Sequence, residues 1–155
     1  MNVTYSTNIY FVILVIRAEA GIPRFRHVLW MKNAKFHIAK FHKNVFAKLP
    51  KYFARTLHSY TLSEGRLDVL VNNAGMGITG PIEDTPTNEM RKVFETNFFG
   101  AIDMMKAVLP QMRKQQSGTI INVTSIAGYM GLPYRGVYSA TKGALDLVSE
   151  AARME

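Results

Sequence analysis

Between residues 67 and 155 the sequence alternates twice between a short apolar run and a helix-forming segment. Residues 67–71 and 119–123 are short and rich in aliphatic and β-branched side chains, which is typical of strands buried in a parallel sheet. Residues 86–113 have the apolar spacing of a helix, and a second helical segment begins near Tyr138. Because parallel strands need helical crossovers, this order predicts an α/β protein with a doubly wound parallel sheet.

The first of these helices has recognisable boundaries. Thr85 is the expected N-cap, and Pro86 is expected at the first helical position, where a missing N–H costs nothing. Pro110 lies near the other end and predicts a break or kink there. Asn97 lies in the middle, although asparagine is a poor helix former with four hydrogen-bonding positions to satisfy. Such a residue is usually exposed or satisfied by a neighbour.

The composition of the chain limits its chemistry. It contains no cysteine, so disulfides, thiolate metal sites and thiol catalysis are excluded. Its 155 residues, 48% of them hydrophobic, suit one domain with a sizeable core. The net charge of +8 is uneven, because residues 1–60 carry ten Lys and Arg against one acid and residues 61–155 carry nine against ten. We therefore predict a basic N-terminal segment of unclear fold over residues 1–55 and an α/β part over residues 56–155.

The basic segment has other interpretations. Its apolar run at 10–16 has seven residues, whereas a membrane helix needs about 20, so we expect a buried strand and no membrane span. Basic and aromatic residues alternate at 24–27 and 35–37. This pattern can contact nucleic acid, but a solvated basic surface accounts for it better, and we expect no nucleic-acid partner. His37 and His42 have no third ligand beside them, so we expect no metal site.

Three side chains late in the sequence have the chemistry to act on one carbonyl group. Tyr138 and Lys142 are four residues apart in a helical segment, so they lie on one face, about 6 Å apart at Cβ. A cation at that distance favours the phenolate, which would let Tyr138 exchange a proton near neutral pH. Ser125 follows the second strand and would lie at its carboxyl end, where open α/β sheets bind ligands. Singly, each residue has an ordinary explanation as a half-buried tyrosine, a solvated lysine or a turn serine.

Four stretches resemble the short-chain dehydrogenase/reductase family and together extend over about residues 60–155. They are LDVLVNNAG at 67–75, FETNFFG at 94–100, INVTSIAG at 121–128 and VYSATKGAL at 137–145. The resemblance implies a Rossmann-like, three-layer α/β/α fold. It also implies an oxidoreductase that transfers hydride between the nicotinamide of NAD or NADP and a small-molecule alcohol or ketone, without a metal.

The resemblance assigns roles to particular residues. Tyr138 would be the general acid or base, Ser125 would orient the carbonyl, and Lys142 would assist the phenol and hold the nicotinamide ribose. Asn97 would distort its helix so that a backbone carbonyl holds a water beside the lysine. The implied catalytic residues are Asn97, Ser125, Tyr138 and Lys142. The implied cofactor-binding residues are Asn72, Ala74, Gly75, Val123, Tyr138 and Lys142, and Asn73 would mainly brace the sheet.

Two features of the family are missing from this sequence. The glycine-rich turn that binds pyrophosphate is absent, since Gly21 is the only glycine before residue 61, and the residue that would choose between NAD and NADP cannot be located. The last residue, Glu155, falls inside the helix that carries Tyr138. We therefore expect a family member truncated at both ends, without the C-terminal strands and helices. The alternative is a catalytically incomplete chain that serves only as a structural or partner-binding module. In either case we expect a cytoplasmic protein, and homo-oligomerisation stays open.

Overall fold

The computed structural model describes residues 66–155 in full and, before them, the backbone of two short strands. In chain order the elements are β1 (Thr4–Ser6), β2 (Val15–Ile16), β3 (Val69–Asn72), β4 (Gly77–Thr79), α1 (Thr87–Phe94), a π-helical segment (Glu95–Phe99), α2 (Gly100–Lys114), β5 (Thr119–Asn122), a 3-10 turn (Ile126–Gly128) and α3 (Gly136–Met154). Apart from β1 and β2, the basic segment predicted at 1–55 lies outside the described residues, as do its histidines and the rest of the strand predicted at 10–16.

β3 and β5 form the parallel pair that the alternation predicts. Val69 lies opposite Thr119 and Asn72 lies opposite Asn122, so both strands end at the same edge of the sheet. A parallel pair needs a long crossover, and the continuous helix from α1 to α2 supplies it. The predicted α/β fold with a parallel pair at its centre is therefore confirmed.

The strand on the other side of β3 runs in the opposite direction. Val15 lies opposite Leu70 and Ile16 lies opposite Val69, so β2 is antiparallel to β3. The three-stranded sheet β2-β3-β5 thus consists of the predicted parallel pair and one antiparallel strand from the segment whose fold the sequence leaves open. A long connection joins β2 to β3, so no short crossover imposes a direction on β2. Because of its direction, β2 ends beside the amino end of β3, away from the edge where Asn72 lies.

The crossover helix begins later than expected but ends where the apolar spacing predicts, at Lys114 against a predicted end near Arg113. Pro86, not Thr85, occupies the N-cap position, and the Thr85 hydroxyl instead donates to the carbonyl of Pro81 at 2.7 Å. Thr85 closes the preceding turn, so the helix begins at Thr87, one residue later than predicted. Pro110 lies inside α2, which continues to Lys114, so the helix does not break at this proline. The regular hydrogen-bonding pattern is interrupted at Glu95–Phe99 instead, the π-helical segment that contains Asn97.

The main core lies between β3 and α2. Its buried members are Leu67, Leu70, Met104, Met105, Val108 and Met112. The four α2 residues recur at helical spacing and form the apolar stripe that covers the sheet. A smaller cluster joins β4, α1 and α3 through Ile78, Val93 and Val137. Since Val137 precedes Tyr138, this cluster anchors the first turn of α3. Between residues 66 and 155, no helix is long and apolar enough to cross a bilayer.

Candidate active site

Two asparagines join the strand ends. The Asn72 amide donates to Asn122 Oδ1 at 2.8 Å and to the carbonyl of Ala101 at 3.4 Å. The Asn72 carbonyl accepts from the Val123 N–H at 2.9 Å. The buried side chain of Asn72, which the family resemblance places beside the cofactor, therefore bridges β3, β5 and α2 within the protein. Its contact with a cofactor stays a prediction.

Gly75 follows β3 by three residues and lies against two polar side chains. A Cβ built at this glycine would be 3.7 Å from Asn97 Oδ1 and 3.7 Å from Lys142 Nζ. Both distances are ordinary van der Waals contacts, so the absent side chain leaves bare backbone beside the lysine ammonium. The structure thus brings three of the predicted site residues together although 67 positions separate the first from the last.

The Asn97 side chain is almost fully buried, with 1% of its surface exposed. Its Oδ1 accepts from the Met76 N–H at 2.8 Å, and its Nδ2 donates to the Met76 carbonyl at 2.9 Å. The second Nδ2 hydrogen goes to Thr141 Oγ1 at 3.0 Å. These bonds satisfy three of the four positions of the amide. They explain how an asparagine is tolerated here, and they fix the π-helical segment to the loop after β3.

Thr141 is a residue that the sequence reasoning missed. It is fully buried, and its hydroxyl accepts from Asn97 and donates to the carbonyl of Tyr138 at 2.7 Å. The only sequence signal is its position directly before Lys142. A threonine in a helix commonly bonds a carbonyl of the preceding turn, so this position alone is uninformative.

Lys142 is buried, with 5% of its surface exposed, and its Nζ donates to the carbonyl of Val123 at 2.7 Å. Burial lowers the pKa of the Lys142 ammonium, because a charge removed from water is disfavoured. The ammonium has three N–H groups, and this bond uses one of them. Lys142 is therefore held at the carboxyl end of β5, which contradicts the ordinary explanation of a solvated lysine.

Ser125 lies on the 3-10 turn that packs against α3. As the N-cap of this turn, its Oγ accepts from the Ala127 N–H at 3.2 Å, which leaves the hydroxyl hydrogen available to donate elsewhere. The turn meets α3 backbone to backbone, since a Cβ built at Gly143 would be 2.8 Å from the Gly128 carbonyl oxygen. Gly143 directly follows Lys142, so the segments that carry Ser125 and Lys142 are in direct contact. Tyr138 is half-buried one helical turn before the lysine.

Apolar side chains are exposed in the loop after Ser125. Ile126, Met130 and Tyr134 are each more than half exposed, and Ile82 is 62% exposed beside Gly136 at the start of α3. The Gly80 N–H donates to the Tyr134 carbonyl at 2.9 Å, which ties this loop to the residues after β4. We refer to Ile82, Ile126, Met130 and Tyr134 as the apolar rim.

The residues that could hold a metal ion are His, Cys, Asp and Glu. Between residues 66 and 155, no three of them are grouped in a way that would form a metal site.

Comparison with known proteins places this geometry in a family. The family model described as short chain dehydrogenase matches residues 5–155. The 3-ketodihydrosphingosine reductase of Bacteroides thetaiotaomicron is 54% identical over 92 residues, which are 59% of this chain and 34% of the relative. Human retinol dehydrogenase 8 is 48% identical over 83 residues, which are 54% of this chain and 27% of the relative.

Two solved structures have the same fold over most of this chain. One is ElxO with NADP bound, with a TM-score of 0.65 and 32% identity over 73% of this chain and 46% of that one. The other is NAD+-bound xylitol dehydrogenase, with a TM-score of 0.65 and 34% identity over 70% of this chain and 42% of that one. The chain spans about a third of the length of the two curated relatives. Because the family model extends over nearly all of its residues, the chain belongs to the short-chain dehydrogenase family.

Proposed function

We propose that the protein is an NAD- or NADP-dependent oxidoreductase that interconverts an alcohol and its carbonyl compound. The observation that carries the proposal is the position of Lys142, whose buried ammonium lies at the end of β5 beside Gly75 and one helical turn after Tyr138. A buried lysine without a ligand is costly, which makes it a candidate for function. Membership of the family and the NADP and NAD+ of the two structural neighbours support the same cofactors here.

The residues at the strand ends suit the nicotinamide end of such a cofactor. Gly75 presents backbone without a side chain, and the remaining N–H groups of Lys142 can donate to ribose hydroxyls. Ala74 and Val123 complete the proposed contacts, and Asn72 would contribute mainly by holding the two strand ends together. When bound, the nicotinamide gives or accepts the hydride.

The protein's own residues would handle the substrate oxygen and its proton. Tyr138 would give a proton to this oxygen in carbonyl reduction and remove it in alcohol oxidation. Ser125 would donate a second hydrogen bond with the hydroxyl hydrogen that its N-cap bond leaves unused. The π-helical segment around Asn97 would supply the carbonyl that holds a water for the proton relay.

The apolar rim suggests the substrate class. It gives the loop after Ser125 an exposed aliphatic and aromatic surface, which could bind the hydrocarbon body of a ligand by the hydrophobic effect. The two curated relatives are named for 3-ketodihydrosphingosine and for retinol, which are largely apolar molecules. We propose a substrate whose carbonyl or alcohol group is attached to an apolar body. A ketone series of increasing alkyl length should show kcat/KM rising with chain length.

The phenol of Tyr138 provides the direct test. In Tyr138→Phe, we expect ketone reduction by NADH or NADPH to fall about 100- to 10,000-fold, because the proton donor is lost. The hydrogen bond from Thr141 goes to the backbone carbonyl, so Phe keeps it and the fold should be unchanged by circular dichroism. Tyr134→Phe is the matched control, because it removes a phenol from the exposed rim. Turnover retained in Tyr138→Phe would refute the assignment.

One observation favours the second candidate, a catalytically incomplete chain that acts as a structural or partner-binding module. No glycine-rich phosphate-binding turn precedes β3 in the sequence, since Gly21 is the only glycine before residue 61. We therefore expect weak calorimetric binding of NADH and NADPH, with Kd of about 1 mM or above. Tighter binding would mean that residues before 66 supply a phosphate site. A folded chain that reduces no ketone at saturating cofactor would favour the second candidate.

A further inference from the structure

Helix α3 is joined to the rest of the site by a hydroxyl bridge at Thr141. The Asn97 amide donates to the Thr141 hydroxyl at 3.0 Å, and this hydroxyl donates to the Tyr138 carbonyl at 2.7 Å. The amide itself is held by both backbone groups of Met76. The bridge therefore connects the loop after β3 to the helical turn that carries Tyr138 and Lys142.

A second bridge of the same construction lies farther along α3. The Asn122 amide donates to the Ser149 hydroxyl at 2.8 Å, and this hydroxyl donates to the Leu145 carbonyl at 2.6 Å. Each bridge thus consists of an asparagine amide, a helix hydroxyl and a carbonyl of the preceding helical turn. The difference is their location, because the Ser149 bridge lies two turns beyond Lys142.

We propose that Thr141 is a positioning residue, whose hydroxyl sets where the Tyr138 phenol and the Lys142 ammonium stand relative to Asn97. Its effect on turnover rests on the proposed function, but its effect on the lysine does not. Thr141 is fully buried, and its hydroxyl bonds the Asn97 amide and the Tyr138 backbone carbonyl, so it acts through these two neighbours. The hydroxyl is needed at this position because only a group that accepts and donates can join an amide N–H to a carbonyl.

A purely structural role makes a different prediction. A buried threonine or serine that merely satisfies its neighbours would contribute stability alone, and the two bridges would then be equivalent. Thr141→Val removes the hydroxyl and keeps the branched shape, whereas Thr141→Ser keeps the hydroxyl. Ser149→Ala removes the hydroxyl of the other bridge and is the matched control.

The kinetic test measures ketone reduction with the cofactor that supports turnover. We expect Thr141→Val to lower kcat about 10- to 100-fold, since displacement of a catalytic group by about 1 Å has an effect of this size. KM should change less than about twofold, because the substrate contacts are untouched. Thr141→Ser should have the kcat of wild type, because it keeps the hydroxyl. Ser149→Ala should also have the kcat of wild type, although its melting temperature should fall as much as that of Thr141→Val. Equal kcat losses in Thr141→Val and Ser149→Ala, or wild-type kcat in Thr141→Val, would overturn the proposal.

An NMR test separates this proposal from the proposed function. The Lys142 ammonium is buried and bonded to the Val123 carbonyl, so its N–H protons should exchange slowly enough with water to be seen at pH 6. We expect Thr141→Val to broaden or shift this signal, and Thr141→Ser and Ser149→Ala to leave it in place. If the wild-type chain lacks turnover, the proposed function fails, and this signal alone decides the positioning role. An unchanged signal in Thr141→Val would refute it.

Discussion

The contact between Gly128 and Gly143 makes a sharp prediction, because the geometry sets its size. In Gly143→Ala, the new Cβ would lie 2.8 Å from the Gly128 carbonyl oxygen, about 0.6 Å closer than an ordinary contact. Backbone cannot rotate aside, so the 3-10 turn and α3 must separate. Overpacking of this kind costs about 1–3 kcal/mol, and alanine's better helix propensity returns about 1 kcal/mol. We expect a net loss of about 1 kcal/mol in the free energy of unfolding.

Two assays measure the consequences. Thermal unfolding should show a melting temperature lower by about 2–4 °C, which is the shift that 1 kcal/mol produces in a chain of about 150 residues. Turnover should also fall, because the turn that carries Ser125 moves away from the helix that carries Tyr138. A misplacement of about 1 Å lowers the rate about 100-fold, so a shift of about 0.6 Å should lower it about tenfold. Cofactor affinity should change less than turnover.

Gly136→Ala is the matched control on the same helix. Its new Cβ would meet only the end of the exposed Ile82 side chain, at 3.4 Å, and this side chain can rotate away. We expect its stability to be unchanged or to rise by about 0.5–1 kcal/mol, with normal turnover. If Gly143→Ala behaves like Gly136→Ala in both assays, the reasoning that the two segments are held in backbone contact is wrong.

Two further changes test the burial of particular side chains. Lys142→Met should gain stability relative to wild type at pH 7, because the folded state no longer holds a desolvated ammonium. Burial lowers the pKa of Lys142 in the folded state below 10.5, so the free energy of unfolding of wild type should rise toward that of Lys142→Met as the pH rises toward 10.5. Denaturant unfolding at several pH values measures this change. A stability difference that does not depend on pH would contradict the burial of the charge. Leu70→Ala should cost about 2–5 kcal/mol in urea unfolding, because Leu70 is fully buried in the main core. Leu147→Ala, at a 69% exposed position on α3, should change stability by less than about 0.5 kcal/mol, and similar losses in both leucine variants would argue against this core.

Several features of the site could be predicted because they depend on neighbours in the sequence. The placement of Tyr138 and Lys142 on successive turns of one helix follows from helical spacing, and the position of Ser125 follows from the strand before it. The N-cap at Pro86 and the bonds that hold the π-helical segment could not be predicted in this way. The first depends on the bond from Thr85 to the Pro81 carbonyl across a turn, and the second on the bond from Asn97 to Met76 in the loop after β3.

The sequence by itself determined the order of strands and helices and the parallel pairing of β3 with β5, because apolar periodicity and crossover length are local properties of the chain. The tertiary structure alone decided which polar groups meet. Asn72 bonds a residue 50 positions away, and Asn97 bonds one 44 positions away. Lys142 is buried because α3 places its ammonium on the carbonyl that follows β5. The tertiary structure also decided the direction of β2, because a strand that a long connection joins to its neighbour can pair with it in either direction.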